Sequence, residues 1–333
     1  MKAIALISGG LDSTLAARLM QDLGVELVCL NTVSPFCLCN RHSSSGCIHG
    51  ANKVAKDLNL KLLSIDVSEE ILDKVRKPRF GYGSNMNPCI DCRILLLEKA
   101  KEAMGREGAS FVITGEVLGQ RPMSQRLHNL KLIEDQAGLS GLVLRPLSAK
   151  VLSPTIPEKE GWIPREKLLA INGRGRREQF NLANKFGIND YPCPSGGCLL
   201  TDPQFSKRLR DLMQYGEFGL NDIHLLKIGR HFRLDKKTKL VVGRDQAENE
   251  LLLNLAREGD YVFVPGDEIA GPTAMGRGIF GDELLKTSFD ITGSYCDANG
   301  LCSVDIACFN KGVLREKRAV SVLERDKFIG LRI

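Results

Sequence analysis

Along the first half of the chain, short continuous apolar runs alternate with segments whose apolar residues recur at helical spacing. "KAIALI" (2–7), "VELVCLN" (25–31), "LKLLSIDV" (60–67), "SFVITGE" (110–116) and "LVLRPLS" (142–148) read as buried strands. Between them Leu11–Leu23, Ile48–Leu58 and Cys92–Met104 read as helices, the first ending before Gly24. Strands that are apolar throughout need cover on both faces, so the pattern predicts an α/β fold: a parallel sheet with helices on both faces.

The texture changes near Gly173. "NGRGRREQFNLANKF" is basic and helix-like, and "YPCPSGGCLLTDP" is rich in turn formers. Further on, "HFRLDKKTKLVVG" predicts a hairpin, "DQAENELLLNLAREG" a helix and "DYVFVPG" a strand. A smaller C-terminal α+β domain is expected, with the boundary between Tyr215 and Asp222, giving domains 1–215 and 222–333. A chain of 333 residues has room for both.

At 43% hydrophobic and 26% charged residues the composition is that of a globular protein. No apolar run approaches the roughly 18 residues of a membrane span, and residues 1–4 lead straight into a strand rather than a signal peptide, so a cytoplasmic protein is expected. The net charge of +6 suits an anionic partner such as nucleic acid. The eleven cysteines are an odd set that clusters, which in a reducing cytosol points to metal, cluster or redox chemistry rather than a disulfide framework. Cys29, within a strand, reads as a small core residue, and Cys296, Cys302 and Cys308 as core or incidental.

The stretch "LISGGLDSTL" (6–15) joins the first strand to the first helix. Gly9 and Gly10 can take positive φ and bring backbone N–H groups to a ligand, and the helix start adds its positive end, so the turn is a nest for an anion. Ser8, Ser13 and Thr14 add hydroxyls, which a mere turn does not require. No Gly-Lys-Ser/Thr follows the glycines, so this is not a Walker A loop. Ser8-Gly9-Gly10-Leu11-Asp12-Ser13 resembles instead the PP-loop, S-G-G-x-D-S, of enzymes that cleave ATP between its α- and β-phosphates.

The resemblance extends over about the first two hundred residues. "VITGEVLGQRPMSQRLHNLKLIED" (112–135) is similar to the matching segment of tRNA 4-thiouridine synthetases, and "NPCIDCR" (87–93) and "CPSGGC" (193–198) to the two cysteine sites of tRNA 2-thiouridylases and their cluster-dependent relatives. It implies a PP-loop ATP pyrophosphatase (adenine nucleotide alpha hydrolase-like) domain acting in tRNA thiolation. Ser8, Gly9, Gly10, Asp12, Ser13, Thr14, Gly115 and Gln120 are then the expected ATP-binding residues, with Asp12 also serving Mg2+, and Glu116 lies in the same segment. The RNA-binding THUMP domain usual in 4-thiouridine synthetases has no counterpart before residue 8. "IGRHFRL", "VVGRDQAENELLL" and "GPTAMGRG" resemble the NFACT-R RNA-binding domain, and Lys227, Arg230, Arg233, Lys236, Lys237, Arg244 and Arg277 would form its phosphate-binding face.

Cys89 and Cys92 lie close enough to share one metal, and a helix end there favours thiolates. With Cys198 they make a three-sulfur set for a 4Fe-4S cluster with one open iron, the arrangement that the cluster-dependent relatives use to activate sulfide. Zinc, with Cys193 as fourth ligand, is the alternative metal, and a persulfide–disulfide pair of Cys92 and Cys198 is a third possibility. On this reading Asp12, Cys92 and Cys198 are catalytic and Cys89, Cys92 and Cys198 bind metal. Cys37, Cys39 and Cys47, near His42 and His49, read as a zinc site or as free thiols on a loop. The implied partners are tRNA and a sulfur donor, either sulfide or a persulfide-carrying protein, and a homodimer is compatible with the resemblance. Two rival functions share parts of the pattern: a PP-loop enzyme acting on a small molecule, and a non-catalytic RNA-binding protein stabilised by zinc.

Overall fold

β1 (Lys2–Leu6) sits at the centre of a five-stranded sheet, and its residues alternate between two cores. Ala3 and Ala5 face one side and Ile4 the other. In this computed structural model, which describes residues 1–37, 46–189, 197–298 and 300–333 (46–48 by backbone alone), β1 is followed by α1 (Leu11–Asp22), β2 (Glu26–Val33), α2 (Gly46–Asp57) and β3 (Lys61–Asp66). Then come α3 (Ser68–Arg76), α4 (Cys89–Glu107), β4 (Phe111–Thr114), α5 (Leu127–Ala137), β5 (Val143–Leu144), α6 (Ile156–Lys159) and α7 (Arg177–Phe186).

The strands run in the order β3-β2-β1-β4-β5, and every pairing is parallel. Helices α1 and α2 pack their apolar stripes on one face through Leu11, Leu15, Ala51 and Val54, while α4 and α5 cover the other through Ile94, Leu97, Ala100 and Ile133. The doubly covered sheet is the one the alternation predicts. Among the described residues, "LVLRPLS" pairs only at Val143 and Leu144, because Pro146 lacks the N–H that would extend the ladder. Helix α4 begins at Cys89, three residues earlier than expected, so both cysteines stand in its first turn.

The second unit contains α8 (Pro203–Tyr215), α9 (Leu220–Leu225), β6 (Arg230–Arg233), β7 (Lys239–Val242), α10 (Gln246–Leu255), β8 (Tyr261–Pro265), β9 (Ala274–Arg277), α11 (Asp282–Ser294), β10 (Ser303–Asn310) and β11 (Val313–Ser321). Its strands form a six-stranded antiparallel sheet in the order β11-β10-β8-β9-β7-β6. Phe289 of α11 meets Phe263 of β8 edge to face, with centroids 5.1 Å apart, in the middle of its core. The two compact units divide at Asp202/Pro203 rather than between Tyr215 and Asp222. Helix α8 goes with the second unit because Asp211 pairs with Arg233 at 2.5 Å and Tyr215 lies under the same guanidinium. Cys29, Cys296 and Cys308 are buried free thiols, and Cys302 is exposed. No helix among the described residues is long and apolar enough to cross a membrane.

Candidate active site

The strand order reverses direction between β1 and β4, and in open parallel sheets ligands bind in the crevice outside the carboxyl ends at such a point. Two loops meet there. The loop after β1 carries Ser8, Gly9 and Gly10 into α1, and the loop after β4 carries Gly115, Glu116 and Gln120. Gly9 has φ of 76°, and a Cβ on it would lie 2.7 Å from the backbone of Gly50 in α2. A Cβ on Gly115 would stand 2.5 Å from Asp12 C and Ser13 N, so a bare Cα lets the second loop lie directly on the first turn of α1. The sequence reading made Gly115 a nucleotide contact, and its position accounts for the glycine by close packing.

Within the first loop the Ser13 and Thr14 hydroxyls both donate to Gly10 O, at 2.8 and 3.1 Å, and the Ser8 N–H points to Ser13 Oγ at 3.3 Å. Ser8 is exposed at the mouth, whereas Ser13 and Thr14 are buried beneath it. Asp12 is held from two sides: Gln120 Nε2 donates to its Oδ2 at 3.0 Å, and Arg176 Nη2 stands 3.3 Å from the same oxygen. Asp12 Oδ1 and Arg176 Nη1 are buried, and neither has a hydrogen-bond partner among the described residues. Buried polar groups normally find partners, so this carboxylate oxygen and guanidinium nitrogen are an acceptor and a donor left for a ligand to satisfy.

Three arginines that the sequence reading did not assign gather here. Burial lowers the Arg121 pKa first, and Arg93 and Arg176 lower it further, while Cys198 and Asp12 act in the opposite sense. Arg121 therefore lies within electrostatic reach of both the glycine loop and the cysteine region. The one available hint was the basic run around Arg176, because the partners come from distant segments. Glu116 is not a free site carboxylate: Arg145 lies 3.1 Å and Arg93 3.5 Å away, and Arg145 also pairs with Glu134. Burial pushes Glu116 up, but the two guanidiniums outweigh it and hold its carboxyl below the usual range.

Cys89 and Cys92 stand in the first turn of α4, preceded by Pro88 at the cap. Asp91 between them accepts the Arg79 and Phe80 N–H groups at 2.9 and 3.1 Å and fixes the preceding loop. That loop is tied to the Cys198 segment: Met86 N donates to Leu200 O at 3.0 Å, and Asn85 Nδ2 to Thr201 O at 2.7 Å. Cys198 then lies within electrostatic reach of both other thiols. Burial raises all three, Cys198 to about 12; Cys92 and Cys89 raise Cys198 further, and Cys89 and Asp91 raise Cys92. Thiolates are the soft donors that suit an iron–sulfur cluster or zinc. Among the described residues, however, no three His, Cys, Asp or Glu side chains already stand at metal-binding spacing, so a bound metal requires the thiols to close in.

Cys37 is disulfide-bonded rather than a free thiol or zinc ligand, and its backbone bridges to Cys198. Cys39, His42 and Cys193 lie outside the described residues, as does the Cys47 side chain.

The expected phosphate-binding face of the second unit divides. Arg277 is consumed by Asp222 and Asp260, both at 2.7 Å, Arg233 by Asp211, and Lys227 is buried. These three hold the fold together. Lys236, Lys237 and Arg244 are exposed, and Arg230 is half-buried.

Residues 1–150 match the family described as thiamine biosynthesis protein (ThiI), and residues 229–328 match the NFACT protein RNA binding domain. Among curated proteins, the chain is 31% identical over 129 residues to the tRNA-specific 2-thiouridylase MnmA 1 of Caldanaerobacter subterraneus subsp. tengcongensis, covering 34% of each chain. It is 26% identical over 155 residues to a probable tRNA sulfurtransferase of Thermococcus kodakarensis, covering 44% of this chain and 36% of that one. The matched region thus spans about a third of the length of these relatives. A crystal structure of a 4-thiouridine synthetase–RNA complex with bound ATP is 21% identical, with a TM-score of 0.37, over 68% of this chain and 52% of that one. The chain thus resembles the ThiI family over residues 1–150 and the NFACT RNA-binding domain over residues 229–328.

Proposed function

We propose that the protein is an ATP-dependent tRNA sulfurtransferase that adenylates a uridine carbonyl and replaces its oxygen with sulfur. The observation that carries this reading is the glycine loop at the reversal point of the sheet, where Asp12 Oδ2 meets Gln120 Nε2 at 3.0 Å and Arg176 Nη2 at 3.3 Å. A nucleotide at the glycine loop and sulfur at the cysteines would share one crevice. The named activities of the curated relatives, tRNA 2-thiouridylase and tRNA sulfurtransferase, point the same way.

The chemistry follows from a poor leaving group. Oxide does not leave a uracil carbon, so the carbonyl oxygen first attacks the α-phosphorus of ATP and pyrophosphate departs. Sulfur then attacks the activated carbon, and AMP carries the oxygen away. The N–H groups at Gly9, Gly10 and the start of α1 hold the departing phosphates, with Arg176 and Arg121 offsetting their charge. Asp12 Oδ1 is the free oxygen for the Mg2+ that accompanies ATP. Cys89, Cys92 and Cys198 would hold a 4Fe-4S cluster, which supplies an open iron for sulfide. In its absence Cys92 and Cys198 would serve as a persulfide–disulfide pair, and zinc remains the alternative metal.

The test is anaerobic reconstitution of the full chain with iron and sulfide, then incubation with tRNA, ATP and Mg2+. Thiouridine in the digested tRNA and tRNA-dependent pyrophosphate release are expected. Alanine at Cys89, Cys92 or Cys198 should lower bound iron and stop thiolation while ATP binding persists. Stoichiometric zinc without iron in an active wild type would replace the cluster by the persulfide route. Pyrophosphate release that ignores tRNA would favour a small-molecule substrate, and no release at all a non-catalytic RNA-binding protein.

A further inference from the structure

We propose that Arg230 and Arg325, both against the Tyr295 ring, form with the neighbouring Arg244 and Arg332 a phosphate clamp by which the second unit holds RNA. The inference rests on the reading of the chain as an enzyme acting on RNA. It assigns the grip to residues of which only Arg230 and Arg244 stood out in the sequence.

The guanidinium carbons of Arg230 and Arg325 lie 4.7 and 4.8 Å from the centroid of the Tyr295 ring. The elements that bring them there are far apart in the chain: Arg230 opens β6, Tyr295 follows α11, and Arg325 starts the 3-10 turn Arg325–Leu331. Arg332 bridges to Phe232 in β6, next but one to Arg230, and Arg244 follows β7. The aromatic ring attracts each cation and so offsets part of the repulsion between them. Two backbone carbonyls hold the stems: Arg230 Nη1 donates to Gly243 O at 2.8 Å, and Arg325 Nε to Ser294 O at 3.0 Å.

What sets this cluster apart is the missing counter-charge. Arg233 and Arg277 in the same unit face carboxylates at 2.5 and 2.7 Å. Among the described residues no carboxylate pairs with Arg230, Arg325 or Arg332, and Arg244 alone has one, Glu248 at 3.1 Å. Arg230 is depressed first by burial, and Arg244, Arg325 and Arg332 then depress it further. Like charges held together in a folded protein are stabilised by a ligand of opposite sign. Guanidinium forks suit phosphate oxygens, and Arg244, Arg325 and Arg332 are exposed to receive them. Several phosphates at the spacing of a nucleic-acid backbone answer several arginines at once, and the match of residues 229–328 to an RNA-binding domain makes that backbone RNA.

The test uses the full chain and fluorescently labelled tRNA, with binding measured by anisotropy across a series of salt concentrations. The triple variant Arg230→Gln, Arg325→Gln, Arg332→Gln should bind at least ten-fold more weakly. Its log K against log salt slope should be shallower by about 2, at roughly 0.7–0.9 for each phosphate that is no longer neutralised. Lys207→Gln, Lys286→Gln, Lys317→Gln removes the same charge from exposed positions of the same unit and should cost less than about three-fold. The triple Arg→Lys variant keeps the charge and serves where the glutamine variant unfolds; it should retain most of the slope yet bind more weakly than wild type, because lysine lacks the fork. Unchanged affinity and slope in the arginine variant, or equal loss in the lysine control, overturns the clamp. A wild type that fails to bind tRNA overturns the clamp and the tRNA substrate together. Tight wild-type binding without thiolation counts against the proposed reaction alone.

Discussion

Arg176 and Asp12 are 164 residues apart in the chain, yet Arg176 Nη2 stands 3.3 Å from Asp12 Oδ2 at the reversal point of the sheet. Among the described residues, Asp12 Oδ1 and Arg176 Nη1 are buried without partners, which makes the pair the natural place to test the proposed nucleotide binding.

Asp12→Ala is expected to abolish tRNA-dependent pyrophosphate release while the unfolding transition stays close to wild type. Arg176→Gln should weaken ATP binding about 10- to 100-fold, the worth of a hydrogen bond to a charged group at about 1.5–3 kcal/mol. Calorimetric titration with ATP and a pyrophosphate assay measure both. Wild-type release from Asp12→Ala would remove the loop from the reaction.

Gly115→Ala puts a methyl 2.5 Å from Asp12 C and Ser13 N and must push the two loops apart. A loss of about 1–3 kcal/mol and of ATP affinity is expected. Gly105→Ala, in an exposed turn of α4 with nothing within 4 Å of the new Cβ, should instead stabilise by roughly 0.5–1 kcal/mol. Denaturant melts of the two variants should move in opposite directions.

Arg145 joins Glu116 and Glu134 in a buried cluster. Arg145→Met takes the guanidinium from Glu134 and leaves Glu116 with Arg93 alone, and should cost about 3–5 kcal/mol. Because the Glu116 carboxyl is held below its ordinary value of 4.5, its contribution is complete above that value and is lost as pH falls through the lowered one. Without Arg145 the carboxyl takes up its proton at higher pH, so the acid unfolding midpoint should rise. An unchanged midpoint would count against the pairing as the cause.

Lys239 is buried in β7, and burial brings its ammonium down from 10.5 to about 7, although Asp211 pulls the other way. Between about pH 7 and 10 the unfolded lysine keeps a proton that the folded one lacks, so stability rises with pH across this window. Lys239→Met should therefore melt higher than wild type at pH 7, and the gap should shrink as pH approaches 10. Melting curves at both ends suffice, and a constant gap would show that the lysine is not the titrating group.

Local chemistry determined much of this protein. Continuous apolar runs placed β1, β2 and β4 because a strand covered on both faces has no polar side to show, whereas β3, read as buried, is an edge strand with no residue fully buried. Gly24 closes α1 and Asp245 caps α10, where its side chain accepts the Glu248 N–H at 2.9 Å, so those helix ends were legible residue by residue. The glycine loop was legible too, since a tight strand-to-helix turn is built from consecutive residues, with positive φ at Gly9 alone of the two glycines. β11 was not: "VLREKRAVS" is an edge strand, and charges on an edge keep it from pairing with other chains while erasing the apolar signal of a strand. The long-range meetings left no local trace. Arg176 reaches Asp12, Asn85 reaches Thr201, and Arg230 and Arg325 share the Tyr295 ring, each through an approach that only the packed fold creates. The same basic composition held both Arg277, locked between two carboxylates, and Arg325, which has none among the described residues. Charge is a property of the residue, but whether it is already neutralised depends on its neighbours in space, and folding alone decides those.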